Sequence, residues 1–255
     1  MDAYEKRLIA LGLSIIPGGS SIVSLAELIG LLCKNQNFEE ELAKVNQEHF
    51  ENLLNDLKRL EGKVSEKASA EEVFEIAQNA IIFSRLTTSY EKRRRFRNIA
   101  INSLNPKFDH EDAKMLFLKM VADFEDVHIQ VLTAYGMTAE INIGSKTYEL
   151  GQTDERLVGL LRADGIQGMS YEVQEMTGWG TISASFISQK TIFEYIKIGK
   201  DNLRKVINDL SSNGCFLERD VSDDDDGSGS KSISAFGARF LLFISEETAE
   251  SFLVD

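Results

Sequence analysis

The densest set of side chains that could bind a ligand is a basic run: Lys92, Arg93, Arg94, Arg95 and Arg97. Ammonium and guanidinium groups bind the phosphates of nucleic acids and of anionic lipids. On a helix, however, these residues spread around most of the circumference, and carboxylates such as Glu91 can neutralise them. The run predicts either an anion or partner contact or, as the favoured interpretation, a solvated and ion-paired helix surface.

A second basic set lies on a helix predicted from Lys200 to Asn213. Its outward side chains are of types that contact DNA bases or a protein partner: Lys200, Arg204, Lys205 and Asn208. Asp201 and Asp209 share that side, and the following loop holds four consecutive aspartates, Asp223 to Asp226, which repel phosphates. We therefore expect protein contact or a structural role ahead of DNA recognition.

Residue types that catalyse reactions or bind metals are scattered along the chain. His49, His110 and His128 lie far apart, and none has a partner at metal-ligand spacing. Cys33 and Cys215 form no disulfide or metal pattern, and the sequence contains no glycine-rich phosphate loop or nucleophile motif. We expect no catalytic residue, no metal and no cofactor.

The stretch Leu8–Cys33 is the least polar of the chain, because Glu27 is the only charged residue in its 26 positions. Pro17-Gly18-Gly19 divides it into two predicted helices, each shorter than the roughly 20 residues that span a bilayer. Core packing is favoured over conditional membrane insertion, because a carboxylate is costly in lipid. The residues that would form the membrane hairpin are Leu8, Ile15, Ile16, Pro17, Gly18, Gly19, Ile22, Val23, Leu28, Ile29 and Leu32.

The pattern up to residue 135 predicts a helical bundle that includes this apolar hairpin. Apolar residues recur at steps of three or four, and Ser69 with Glu72 forms a capping box. The predicted helices run from Glu39 to Glu61, from Ser69 towards Tyr90, from Glu91 to Leu104, from Asp109 to Phe124 and then through Tyr135 to Gly136.

Residues 136–255 predict a second, winged-helix-like α+β domain with an acidic loop. Together with the helical bundle before it, this domain gives a predicted fold class that is mainly α. Alternating short runs from Ala139 to Leu150 are typical of a hairpin around Gly144-Ser145, whereas Gly165 to Thr181 has no clear pattern. The helix Lys200–Asn213 ends at Gly214, and a strand over 215–219, the acidic loop and a second strand from Ile233 follow it. Phe240 to Ile244 predict a closing helix or strand.

Charge is unevenly distributed along the chain. Up to Pro106 there are 15 acidic and 14 basic residues, whereas the rest has 26 acidic and 14 basic residues, a net charge of −12. This excess opposes a nucleic-acid partner. Charged residues close behind Met1 and the two isolated cysteines predict a cytoplasmic protein without a cleaved signal peptide, with peripheral or conditional membrane association as the alternative.

Several of these segments together resemble bacterial proteins of the Abi-alpha type, over about residues 70–245. The segments are EKRRRFRNIAINSLNP, HIQVL, NLRKVINDLSSNGCFLER and SISAFGARFLLFI. The resemblance implies a role in abortive infection, in which a cell blocks the spread of a phage at its own expense. The resemblance implies no catalytic residues. The chain departs from the family in its insert between Ala134 and Lys200 and in its acidic loop.

Together these observations predict a non-enzymatic bacterial interaction protein that acts through protein–protein contacts, as a phage-defence or stress component. Two alternatives stay open. One is a membrane-active effector that forms a pore or depolarises the cell with the 8–33 hairpin. The other is a winged-helix transcription regulator.

Overall fold

The computed structural model describes residues 51–53, 55–56, 59–60, 70–85, 87–105, 108, 112–143, 146–150, 154–163, 171–176, 180–219 and 230–254. The chain divides into two compact units: Met1–Asp123 together with Phe243–Asp255, and Phe124–Leu242. The predicted boundary after Tyr135 therefore differs from this division, because the helix that contains Tyr135 packs against helices of the second unit. The carboxy-terminal residues also belong to the first unit.

Helices dominate the described part of the chain, which confirms the mainly α class. The helices are α1 (Ala70–Arg85), α2 (Tyr90–Asn102), α3 (Lys114–Asp123), α4 (Asp126–Gly136), α5 (Glu155–Ala163), α6 (Gln189–Ile196), α7 (Lys200–Ser212), α8 (Ala235–Ile244) and α9 (Glu246–Val254). In the described residues, no helix is both long and apolar enough to cross a membrane.

In the first unit, α2 packs against α1, α3 and α9. The Ser89 side chain accepts a hydrogen bond from the Lys92 amide and so caps its first turn. Phe96 and Ile99 are buried, and the Phe96 ring stacks on the Phe83 ring of α1 at 5.9 Å. The helix predicted over 91–104 is confirmed, and it ends before the turn that leads to Asn105.

Two other predicted helices of this unit need comment: one begins at a different residue, and the other lies only partly within the described residues. The helix expected from Asp109 begins instead at Lys114, after a turn at residues 112–113. Residues 51–53, 55, 56 and 59 are helical, in agreement with the predicted helix from Glu39 to Glu61, and Leu53 is buried. The apolar hairpin at Leu8–Cys33 lies outside the described residues.

The second unit contains a four-stranded antiparallel sheet. Its strands are β1 (Ala139–Ile143), β2 (Lys146–Glu149), β3 (Tyr171–Met176) and β4 (Gly180–Ser185), in the order β2-β1-β4-β3. The predicted hairpin is confirmed, because β1 pairs with β2 with Ile143 opposite Lys146. β3 lies in the region without a clear sequence pattern and is held by pairing with β4.

A second, three-stranded antiparallel sheet has the order β5-β7-β6, from β5 (Ile187–Ser188), β6 (Phe216–Arg219) and β7 (Ser230–Ile233). Helices α6 and α7 come between β5 and β6 in the chain. The element predicted over Phe240–Ile244 is part of a helix, α8. A Cβ atom added at Gly237 of α8 would lie 2.5 Å from the Cys215 carbonyl oxygen, so the close approach of these backbones requires glycine.

Candidate interaction surface on helix α7

Helix α7 is held at both ends by local backbone geometry. Before it, α6 ends at Lys197, which has a left-handed conformation (φ 60°, ψ 39°). After it, Gly214 has a φ of 74°, which glycine adopts at little cost, and its amide donates to the Ser211 carbonyl. The sequence prediction of a helix that ends at Gly214 is confirmed.

Apolar and polar residues of α7 separate onto opposite sides. Leu203, Val206, Ile207 and Leu210 are buried, as the sequence periodicity predicts. Seven residues of α7 are exposed, and all are polar or charged. The α7 face, as the term is used below, consists of the six that precede Asp209: Lys200, Asp201, Asn202, Arg204, Lys205 and Asn208; Ser212 is the seventh. The structure thus brings the four predicted contact residues together on one exposed surface, whereas their role stays a prediction.

Asp209 lies at the border of the α7 face and contacts another helix. Its Oδ2 atom is 3.3 Å from Nε2 of His128, a residue of α4 that is 8% exposed. The His128 Nδ1 atom accepts a hydrogen bond of 3.1 Å from the Glu125 amide, so the neutral ring carries its proton on Nε2 and donates it to Asp209. The Phe124 ring stacks on the imidazole at 5.0 Å. His128 therefore ties α4 to α7.

The charges that remain on the α7 face are mainly positive. Asp201 and Lys205 are four residues apart, the spacing at which opposite charges on a helix attract each other. The Lys200 ammonium lies 5.6 Å from the centre of the Phe193 ring of α6. With Asp201 offset by Lys205, the net positive charge rests on Lys200 and Arg204, one helical turn apart.

A polar cluster links α5 to α6. The Tyr195 hydroxyl donates a 2.8 Å hydrogen bond to the Asp154 carboxylate, and a guanidinium nitrogen of Arg156 donates to the Glu194 carbonyl at 2.8 Å. The Arg156 guanidinium also lies 5.7 Å from the centre of the Tyr195 ring. The Tyr195 hydrogen bond, with smaller help from the Arg156 amide, holds the pKa of Asp154 below its usual range. This cluster fixes the helix that leads into α7.

The basic run on α2 already has partners within the first unit. Arg94 pairs with Glu91 at 2.6 Å and with Glu246 of α9 at 2.7 Å. The Nε atom of Arg97 lies 2.7 Å from an Asp56 carboxylate oxygen. These contacts agree with the ion-paired interpretation of the run.

Two further members of the run donate to backbone carbonyls. Arg93 is 4% exposed, donates through Nε to the Thr87 carbonyl at 3.0 Å, and has a pKa lowered by its burial. The Lys92 ammonium donates to the Ala122 carbonyl at 3.0 Å, and Arg95 is partly buried. An external anion would have to compete with these contacts, and a ligand role for the run stays a prediction.

Sequence reasoning did not find the partners of His128, Asp154 and Tyr195. The one available signal was the position of His128 in the first turn of a helix, three residues after Glu125. Among the described residues, no group of three His, Cys, Asp or Glu side chains could hold a metal ion. Cys215 is buried, and burial raises the pKa of its thiol to about 12.

Comparison of the chain with protein-family models, with curated proteins and with solved structures found no significant match.

Proposed function

We propose that this chain is a non-enzymatic interaction protein that binds a protein partner through the α7 face. The observation that carries the proposal is the exposure of six polar or charged residues on one side of α7, opposite a fully apolar buried side. Contacts from His128 and from the Asp154–Tyr195 cluster support the elements next to this face. Contacts that hold these elements in place lower the entropy that ordering them would cost on binding.

The order of elements supports a winged-helix arrangement for the second unit. Such a domain has a strand, two helices and two further strands in this order, which is the order of β5, α6, α7, β6 and β7 here. The sheet order β5-β7-β6 also fits, because the strand before the two helices pairs with the last strand. In this proposal α4 is the first helix of the domain, and the four-stranded sheet with α5 is an insert between α4 and β5.

Capture of partners from native cells tests the proposal with the full chain. Asn208→Ala and Lys205→Ala remove side chains of the α7 face without touching its buried side, and Arg162→Ala is the matched control on the exposed end of α5. We expect a partner that the parental chain and Arg162→Ala both capture and that the two α7 variants lose. Capture that is equal for all four proteins would overturn docking through α7.

A winged-helix transcription regulator is the second candidate, because Arg, Lys and Asn side chains on an exposed helix are those that contact base edges. It predicts binding of a specific duplex with steep salt dependence. Arg204→Ala with Lys205→Ala should then abolish a band shift that Arg162→Ala retains.

The resemblance to Abi-alpha type proteins extends the first proposal to phage defence. Expression of the parental chain should then lower the number of phage plaques, and the Asn208→Ala variant should not. The membrane-active alternative concerns residues outside the described part of the chain. Fractionation of native cells into cytosol and membrane, before and after phage infection, tests it.

A further inference from the structure

The segment that leads from α6 through α7 is locally positive, although the chain as a whole is acidic. The chain carries a net charge of −13. From Lys197 to Ser212 the chain has four basic residues and two acidic ones, Asp201 and Asp209, and the Asp209 side chain contacts His128 while it stays 45% exposed. A locally positive surface on an acidic protein attracts anionic groups at short range, while the remaining surface repels extended anions.

We infer that the α7 face binds an acidic segment of a protein partner, with Arg204 and Lys200 as its main contacts. This inference rests on the proposed function and names the chemistry of the partner. Arg204 is exposed, and a guanidinium binds a carboxylate through two parallel hydrogen bonds. Lys200 is one turn away on the same side of the helix, so two carboxylates of one peptide can bind at once.

Phe193 gives the site an apolar border. Its ring lies 5.6 Å from the Lys200 ammonium and is only partly buried. An acidic segment with an apolar side chain next to a carboxylate could contact this ring and Lys200 together. Such a combined contact gives a partner more specificity than charge alone.

A peptide fits this surface better than a nucleic acid does. Duplex DNA carries about one charge per 1.7 Å along its axis, so it extends its phosphates well beyond a single helix. The part of the chain after Pro106 has a net charge of −12, and four aspartates lie between β6 and β7 in sequence. A short acidic segment presents its charges to α7 alone and avoids most of this repulsion.

Fluorescence anisotropy of the full chain with labelled peptides tests the inference. The probe is a peptide of alternating Glu and Ser residues, with the same peptide carrying Lys for Glu and a random-sequence duplex as comparison ligands. The variants are Arg204→Glu and Lys200→Glu, with Arg162→Glu on α5 as the matched charge-reversal control. Circular dichroism of each variant checks that helix content is unchanged, as expected for exposed positions.

We expect the acidic peptide to bind, and each α7 reversal to weaken its binding about tenfold, because a like charge replaces an attractive one. Arg162→Glu should change the affinity less than about twofold, and raising the salt from about 50 to about 300 mM should weaken binding. Absence of acidic-peptide binding, or equal binding by Arg204→Glu, would overturn the inference. Tighter binding of the duplex would assign the surface to nucleic acid instead.

Failure of the inference is distinguishable from failure of the proposed function. If the partner captured from cells is lost in Asn208→Ala but retained in Arg204→Glu, docking through α7 holds and the acidic chemistry is wrong. If no α7 variant changes capture, the docking proposal itself fails, whatever the synthetic peptide does.

Discussion

The Asn98 side-chain amide donates a 2.9 Å hydrogen bond to the carbonyl oxygen of Ile244, the last residue of α8. Asn102, one turn further along α2, donates to the Phe243 carbonyl at 2.8 Å. Both asparagines are buried. The last carbonyls of a helix have no partner within the helix, so two asparagines of α2 supply the hydrogen bonds that water cannot.

Replacing Asn98 by alanine should lower the free energy of unfolding by about 1–3 kcal/mol, because a buried carbonyl loses its donor. Urea denaturation of the full chain, followed by circular dichroism, measures this loss. Asn79→Ala is the control: its side chain donates to the Glu75 carbonyl at 2.9 Å in an exposed position, where water can replace it. Equal losses for the two variants would contradict this account.

The two ion pairs of the basic run should differ in strength. In the Arg97–Asp56 pair the side chains are 16% and 9% exposed, whereas in the Arg94–Glu246 pair they are 38% and 40% exposed. Arg97→Met should lower the free energy of unfolding by up to about 3 kcal/mol, because the nearly buried Asp56 carboxylate then keeps only the largely exposed Arg59 guanidinium, 3.8 Å away. Arg94→Met should cost about 1 kcal/mol or less.

Denaturation of both variants tests this contrast. Adding Asp56→Leu to Arg97→Met should restore part of the loss, since the nearly buried carboxylate is then removed together with its main partner. A double variant that is less stable than Arg97→Met would show that Asp56 stabilises the unit by another route.

Gly237→Ala should destabilise the second unit, since the added methyl would lie 2.5 Å from the Cys215 carbonyl oxygen. A shift of the backbone is then required, and we expect a loss of about 2 kcal/mol, as for overpacked sites. Gly159→Ala in α5 is the control, because nothing lies within 4 Å of its Cβ position.

Gly159→Ala should raise the free energy of unfolding by about 0.4–1 kcal/mol, because alanine fits this helical position. Thermal unfolding compares the two variants. A stability gain for Gly237→Ala would contradict the close approach of α8 to Cys215.

Tyr195→Phe should raise the pKa of Asp154 towards its ordinary value, because the hydroxyl is the largest cause of its depression. A carboxyl with a depressed pKa stabilises the fold above its unfolded-state pKa, and this contribution is lost as the pH falls through the folded-state pKa. Titration of the aspartate carboxyl carbons by NMR from neutral to acidic pH measures the shift. The control is Tyr90→Phe, since Tyr90 is 71% exposed; an unchanged Asp154 pKa in Tyr195→Phe would exclude the hydroxyl as the cause.

Local signals predicted much of the fold. Gly214 and Gly136 mark helix ends correctly, and alternation around Gly144-Ser145 predicts the β1–β2 hairpin. β3 was missed because its pairing with β4 is not visible in its own sequence pattern. The division into units differs from the predicted boundary after Tyr135, and long-range contacts such as those of Asn98 and Asn102, whose acceptors lie more than 140 positions further along the chain, are not visible in a local pattern.

The candidate site was predictable in part. Helical periodicity separates Arg204, Lys205 and Asn208 from the buried Leu203 and Val206, and the structure has the same separation. The sequence did not predict that Asp209 contacts His128, because this contact depends on how two helices cross. One oxygen of the Asp209 carboxylate therefore has a partner on α4, although the side chain is 45% exposed.

The division into units determines which of the two is completed first while the chain is synthesised. Residues Phe124–Leu242 leave the ribosome before Phe243–Asp255, which complete the first unit. Asn98 and Asn102 therefore have no carbonyl acceptors until Phe243 and Ile244 have been translated, more than 140 residues later. A nascent chain that stalls just after Leu242 would have a complete second unit and an incomplete first one, with two side-chain amide groups still open to water.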